Sequence, residues 1–163
     1  MKIGHPYRNS WLMALLVCLL FTGCQKDEID IPELNSDVLL EKINQLRLNG
    51  CQCGADYMPP VEPLLLNSQL GAAATKHVLD MYQRAYFDHL SPEGTTPAER
   101  AAKAGYQGHF RSENIGRGYV NPEVVLLAWK NSVSHCKAMM DSASREAGFG
   151  FSHNYWTASF GYP

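Results

Sequence analysis

An unbroken run of eleven apolar residues, Trp11 to Phe21, sets the first limit on what this chain can fold into. Lys2 and Arg8 precede it as a positively charged flank. A helix that crosses a bilayer needs ~20 apolar residues, so this run is too short to span and reads as the core of a secretory signal. Residues 1–23 are therefore expected to be removed, which leaves about 140 of the 163 residues as the mature chain, outside a reducing cytoplasm. Taking Lys2 and Arg8 from the 14 basic residues leaves 12 against 16 acidic ones. That acidic balance argues against nucleic acid as a partner, because neutralising phosphates needs a basic excess.

The run ends in Phe21-Thr22-Gly23-Cys24, which resembles a bacterial lipobox, where the cysteine takes up lipid on sulfur and becomes the new N-terminus. The expectation is a signal peptide over 1–23, lipidated Cys24 with an acidic tether over 24–36, and one folded domain over 37–163. Gln25 to Asn35 carries Asp27, Glu28, Asp30 and Glu33 and contains Pro32, a polar spacer rather than a packed element. Its extended reach of ~37 Å would hold a domain clear of lipid head groups. Lys26-Asp27-Glu28 resembles a signal for export to the outer surface of some Gram-negative bacteria. The expected location is the bacterial cell envelope, on the outer membrane by way of Cys24, with the surface-exposed face as one option. Anionic lipid is not the electrostatic partner of such a chain.

Cys18 leaves with the signal and Cys24 carries lipid, so Cys51, Cys53 and Cys136 remain. Cys51 and Cys53 would pair with each other only under strain. A bridge from one of them to Cys136 closes a long loop, worth ~4.5 kcal/mol in the chain-entropy model. A metal reading of Cys51 and Cys53 lacks a second Cys or His cluster at zinc-finger spacing. Cys136 beside His135 is also conceivable as a nucleophile.

Leu39, Leu40, Ile43 and Leu46 recur at helical spacing between Asp37 and Asn49, with Ser36 as cap and Gly50 as stop. After a loop rich in Pro and Gly, Asn67 caps a second helix striped by Leu70, Ala74, His77, Val78, Met81 and Ala85. Thr96-Pro97-Ala98-Glu99 spells a capping box, with Gly105 as the exit. Asn121-Pro122 opens a helix that is apolar almost all round and is therefore expected to be buried. Ala147 to Gly161 sets aromatics and glycines about Ser152-His153-Asn154, the pattern of a hairpin. Helices and strands without repeated βαβ units predict an α+β fold.

Two histidines sit in polar punctuation just past apolar elements: His89 after the second helix, and His135 after the buried one. Between them lies Ser112-Glu113-Asn114-Ile115-Gly116. Two imidazoles and a carboxylate offer three donors for Zn2+ or another divalent cation with a position left for water. They serve equally as a hydrogen-bonded cluster that fixes loops, and spacing does not choose. His77 on the inward stripe reads as a core histidine or a partner behind such a cleft. His109 and His153 read as exposed loop or turn residues. No G-x-S-x-G is present. Glu99 and Glu123 are explained by capping and the helix dipole.

Phe87-Asp88-His89 with Ser91-Pro92-Glu93-Gly94, Ser112-Glu113-Asn114-Ile115, Trp129-x-x-Ser132-x-x-His135, and Gly148-Phe149-Gly150 with Tyr155-Trp156 together resemble the CAP superfamily, the cysteine-rich secretory, antigen 5 and pathogenesis-related 1 proteins, here in its bacterial secreted SCP-domain form. The resemblance runs over nearly all of residues 37 to 161. It implies an α-β-α sandwich with a small antiparallel sheet between helices, and a cleft in which His89, Glu113 and His135 match three of four His/Glu positions. The fourth falls on Ser132, a supporting rather than a ligating residue, as is His77. Val133-Ser134 stands where Pro-Gly is frequent before the second histidine, and Ser112 where Gly is frequent before the glutamate. Cys53-Gly54 matches a Cys-Gly that accompanies a cysteine after that histidine, which implies the pair Cys53–Cys136 and leaves Cys51 over.

The function the resemblance implies is a binding or interaction module whose cleft takes a divalent metal or a small apolar ligand, with a lipid, cell-envelope component or protein as partner. The alternative is a metal-dependent hydrolase of peptide or cell-wall material, with His89 and His135 holding the metal and Glu113 as ligand or general base.

Overall fold

A computed structural model describes residues 1–4 and 32–163. The apolar run, Cys18, Cys24 and the export-like Lys26-Asp27-Glu28 lie outside the described residues. Helix α1, Pro32–Asn49, starts earlier than Ser36, so the last residues of the expected tether are helical. Pro32 is suited to a first helical turn, where its missing N–H has no partner to lose.

A two-stranded hairpin follows, β1 (Cys51–Cys53) against β2 (Asp56–Met58), in what the sequence presents only as a loop rich in Pro and Gly. Strand β3, Leu65–Leu66, leads into α2, Ser68–Gln83. The Asn67 side chain caps α2 by accepting from the N–H groups of Gln69 and Leu70, and the buried residues of α2 are Leu70, Ala74, His77, Val78 and Met81 of the predicted stripe together with Ala73; Ala85 lies past the helix end, exposed and with φ of 55°. Helix α3, Pro97–Lys103, begins with the full Thr96/Glu99 capping box. Strand β4, His109–Arg117, then α4, Pro122–Asn131, and α5, Val133–Met139, lead to β5, Glu146–Ser152, and β6, Tyr155–Tyr162.

The main sheet runs β3-β5-β6-β4. It is antiparallel except for two residues of β3, which lie parallel to β5 at the edge. His153 and Asn154 turn the β5–β6 hairpin with φ of 49° and 61°, the left-handed pair that matches strand twist. Period-two alternation sends Ala147, Phe149, Trp156, Ala158 and Phe160 into one core with Leu39 and Ile43 of α1, Val125 and Trp129 of α4 and Met139 of α5. On the other face lie Gly148 and Gly150. A Cβ at Gly148 would stand 2.0 Å from the Gly71 nitrogen, and one at Gly150 2.4 Å from the Ala74 carbonyl carbon. Missing side chains on β5 thus let the backbone of α2 rest directly on the sheet. Helices cover both faces, an α-β-α sandwich.

Helix α4 corrects one expectation. It buries only Pro122, Val125 and Trp129, while Leu127 is 57% and Val124 42% exposed. One stripe of a surface helix suffices for the core, and the apolar residues outside it face solvent. Arg47, in the last turn of α1, is the opposite case: a charged residue with no exposed surface.

Candidate functional site

Glu113 projects from β4 and is almost wholly removed from solvent, its side chain being 3% exposed. Helix α3 supplies its main partner. One turn after the Thr96 cap, Arg100 Nη2 donates to both carboxylate oxygens, at 3.0 and 2.9 Å. Arg100 Nη1 donates to the carbonyls of His89 at 2.8 Å and Thr95 at 3.1 Å. One guanidinium therefore ties the loop after α2 to the sheet. His89, in that loop, donates from Nδ1 to Glu113 Oε1 at 2.9 Å while its ring stays 46% exposed.

His77, on α2, lies beneath. Its Nε2–H donates to the Asp88 carbonyl at 3.0 Å and stands 4.0 Å from Glu113 Oε1. Its Nδ1 faces the Tyr86 hydroxyl at 3.5 Å, and that hydroxyl donates to Asp80 Oδ2 at 2.5 Å. Burial, ahead of every other influence, holds the His77 imidazole below its ordinary pKa, with the Glu113 carboxylate working the other way. His135 stands on α5 rather than in a loop past a helix. Its pKa is also lowered, first by burial and then by the charge of His89.

Both imidazoles accept protons less readily folded than unfolded, so their stabilisation is complete above the unfolded value of 6.5 and is lost as pH falls through the lower folded values. The thermal midpoint is expected to drop between about pH 7.5 and 5.5, with His77→Gln flattening the slope. An equal slope in both proteins would contradict this.

His135 borders a cleft of about 240 Å³ together with Phe87, Ile115, Arg117, Tyr119, Ala128, Trp129 and Ser132. Arg117 lies 5.3 Å from the Phe87 ring centre and 5.9 Å from that of Tyr155. Tyr82 and His153 stack 3.7 Å apart. His153 is thus exposed, as expected of a turn, but carries an aromatic neighbour. His109, expected in a loop, begins β4 and stacks on Tyr162 at 4.8 Å. Ser132 precedes α5 and reaches only Ser134 Oγ at 3.4 Å.

The structure thus gathers His89, Glu113 and His77 directly and places His135 and Ser132 along the adjoining cleft. Arg100 is absent from the sequence reading, and Asn114 stands there only as a letter of the motif around Glu113, with no role. Asn114, fully buried on the opposite face of β4, donates from Nδ2 to the His135 carbonyl at 3.0 Å and so links β4 to α5. The signal for Arg100 lay in its distance of one helical turn from a capping box.

As donors for a divalent cation, His89, Glu113 and His135 do not fit in this arrangement. The carboxylate is already occupied by a guanidinium and an imidazole N–H. Among the described residues, only Cys51, Cys53 and Cys136 bring three His, Cys, Asp or Glu donors within 4.8 Å of one another.

A model of the cysteine-rich secretory protein family, CAP, matches residues 40–160. The uncharacterized protein YkwD of Bacillus subtilis (strain 168) is 32% identical over 102 residues, 61% of this chain and 40% of that protein. The chain spans less than half the length of the curated relatives it matches. An extracellular SCP-domain protein from Bacillus anthracis superposes with a TM-score of 0.72 at 23% identity, over 82% of this chain and 42% of that one. An outer surface protein from Borrelia burgdorferi gives 0.60 at 22%, over 77% and 90%.

Proposed function

The chain belongs to the cysteine-rich secretory protein family, CAP, and on that footing we propose that it is an extracytoplasmic binding module, anchored by lipid on Cys24, whose cleft beside His135 takes one apolar or aromatic group of a larger ligand. The observation that carries this reading is the grip of Arg100 on both oxygens of Glu113. A general base or metal-bound carboxylate must offer a free lone pair, and three of the ~four acceptor positions of this one already take N–H groups of Arg100 and His89. The hydrolase alternative has to work with the single position left on Oε2 or displace a donor.

Cleft volume narrows the ligand. At about 240 Å³ the space is smaller than the ~300–1,000 Å³ of sites that enclose drug-sized molecules. It accommodates a single ring or a short aliphatic segment, with Phe87 and Tyr119 as apolar walls and His135 and Arg117 as polar contacts. The neighbours described as extracellular or as an outer surface protein support an envelope location, as does the Phe21-Thr22-Gly23-Cys24 motif.

Saturation-transfer NMR with p-cresol and with hexanoate tests the cleft. Transfer is expected with the wild-type chain and is expected to fall at least ten-fold with Ala128→Phe, which fills the space from a half-buried position and leaves the thermal midpoint nearly unchanged. Equal transfer in both proteins would count against the cleft. Incubation with peptidoglycan and with casein, with and without chelator, tests the enzyme reading. Chelator-sensitive product that disappears in Glu113→Gln would replace the binding role with hydrolysis.

A further inference from the structure

Three sulfurs meet where β1 passes α5. Cys51 and Cys53 flank the exposed Gln52 on β1, so both side chains point to the same buried side. Cys136 reaches them from α5 and forms the disulfide with Cys53. Cys51 is a buried free thiol. Its Sγ lies 3.9 Å from that of Cys53 and 3.8 Å from that of Cys136. Met140, 1% exposed, and the half-buried Met58 pack against the same group. Both methionines also line a surface pocket of about 500 Å³.

Two chemistries compete for such a cluster. Thiol–disulfide exchange needs a thiolate attacking one sulfur along the axis of the bond. Cys51 is nearly equidistant from both sulfurs, which sets it abreast of the bond rather than at its end. Burial also pushes the Cys51 thiol up, reducing its thiolate fraction. Metal binding makes the opposite demand. Thiolates bound to a tetrahedral ion at ~2.3 Å stand ~3.8 Å apart, the spacing Cys51 already keeps to both partners. Only the Cys53–Cys136 contact has to open.

We propose that Cys51, Cys53 and Cys136, once their disulfide is reduced, form a site for a soft monovalent metal ion, cuprous copper, with the thioether of Met140 beside it. Among the described residues no imidazole or carboxylate joins the cluster; thiolates and a thioether suit soft ions, Cu(I) among them, and three thiolates without a fourth Cys or His fall short of the closed four-coordinate set of a structural Zn2+ site. Reduction takes two electrons from a dithiol, which leaves as its own disulfide, while the Cys53–Cys136 bond breaks into two thiols. The cuprous ion then displaces thiol protons to solvent as copper–sulfur bonds form, with no change in its oxidation state. The oxidised chain offers one thiol in place of three, so the bridge itself controls loading.

The test uses the full chain with Cys18→Ser and Cys24→Ser, handled without oxygen, in competition with bicinchoninate for Cu(I). Reduced protein is expected to take one equivalent and oxidised protein none. Adding Cys51→Ser, which keeps the Cys53–Cys136 bridge and so the oxidised fold, is expected to weaken Cu(I) binding at least ten-fold after reduction. Cu(I) is expected to raise the thermal midpoint of the reduced parent and not that of the Cys51→Ser variant, which separates a folded site from capture by unfolded chain. Equal affinity in the two proteins, no rise in midpoint, or a preference for Zn2+ over Cu(I) would overturn the proposal.

Discussion

Cys136→Ser is expected to lower the unfolding free energy by about 4.5 kcal/mol and the thermal midpoint by roughly 15 °C. The bridge joins positions 83 residues apart, and in the chain-entropy model most of its effect is the freedom it denies the unfolded state. This predicts a second signature. Without the cross-link the unfolded chain is more expanded and exposes more surface, so the denaturant dependence steepens as the midpoint falls. Cys136 is the informative position because Cys51 lies 3.8 Å from it; a Cys53→Ser variant leaves a thiol beside Cys136 that is able to take over the bridge. Urea titration of the parent and of Cys136→Ser measures both quantities. A loss below about 1.5 kcal/mol with an unchanged slope would mean that the cross-linked and open chains are equally compact when unfolded.

The contrast between what the sequence makes legible and what it hides follows the range of the interactions. The stripe of α2, the Thr96/Glu99 box and the His153-Asn154 turn are local: each is written within a few residues and each appears at its expected place. Helix α4 misleads because apolar character on all sides does not say how many faces a neighbour covers, and α1 and β4 cover only one. The grip of Arg100 on Glu113 spans 13 residues, and the link from Asn114 to His135 spans 21. Neither leaves a periodic trace. His89, Glu113 and His135 stand out through their motifs, and the structure joins the first two directly while His135 borders the cleft alongside. Their chemistry is set by Arg100, whose place one turn beyond a capping box is legible but whose carboxylate partner is not. A carboxylate with a vacant edge and one held by a guanidinium are the same letter.

Arg47→Met carries the other large effect, an expected loss of about 3–5 kcal/mol. Arg47 has no exposed surface. Its guanidinium donates to four carbonyls: Glu62 at 2.7 Å, Met139 at 2.8 Å, Asp141 at 3.0 Å and Ser144 at 2.9 Å. Met139 ends α5, so one of these bonds serves a helix terminus whose carbonyls lack intrahelical partners. Burial pushes the Arg47 pKa down to about 10, with Arg145 acting in the same direction and Asp141 against it, so the group enters the core charged at neutral pH. Methionine restores much of the volume but no donor, and each abandoned carbonyl loses about 1–3 kcal/mol unless water reaches it. The sum exceeds the expected loss because relief from burying a cation offsets part of it. Arg47→Lys separates charge from geometry. It keeps the cation, yet a single ammonium with three donors does not reproduce a planar fork that reaches four acceptors, so recovery is expected to be less than half. Urea titration is again the measurement, here with an unchanged denaturant slope, because no cross-link is altered. Full recovery in Arg47→Lys would assign the effect to charge alone, and a loss under about 1 kcal/mol in Arg47→Met would show that water replaces the guanidinium at all four carbonyls.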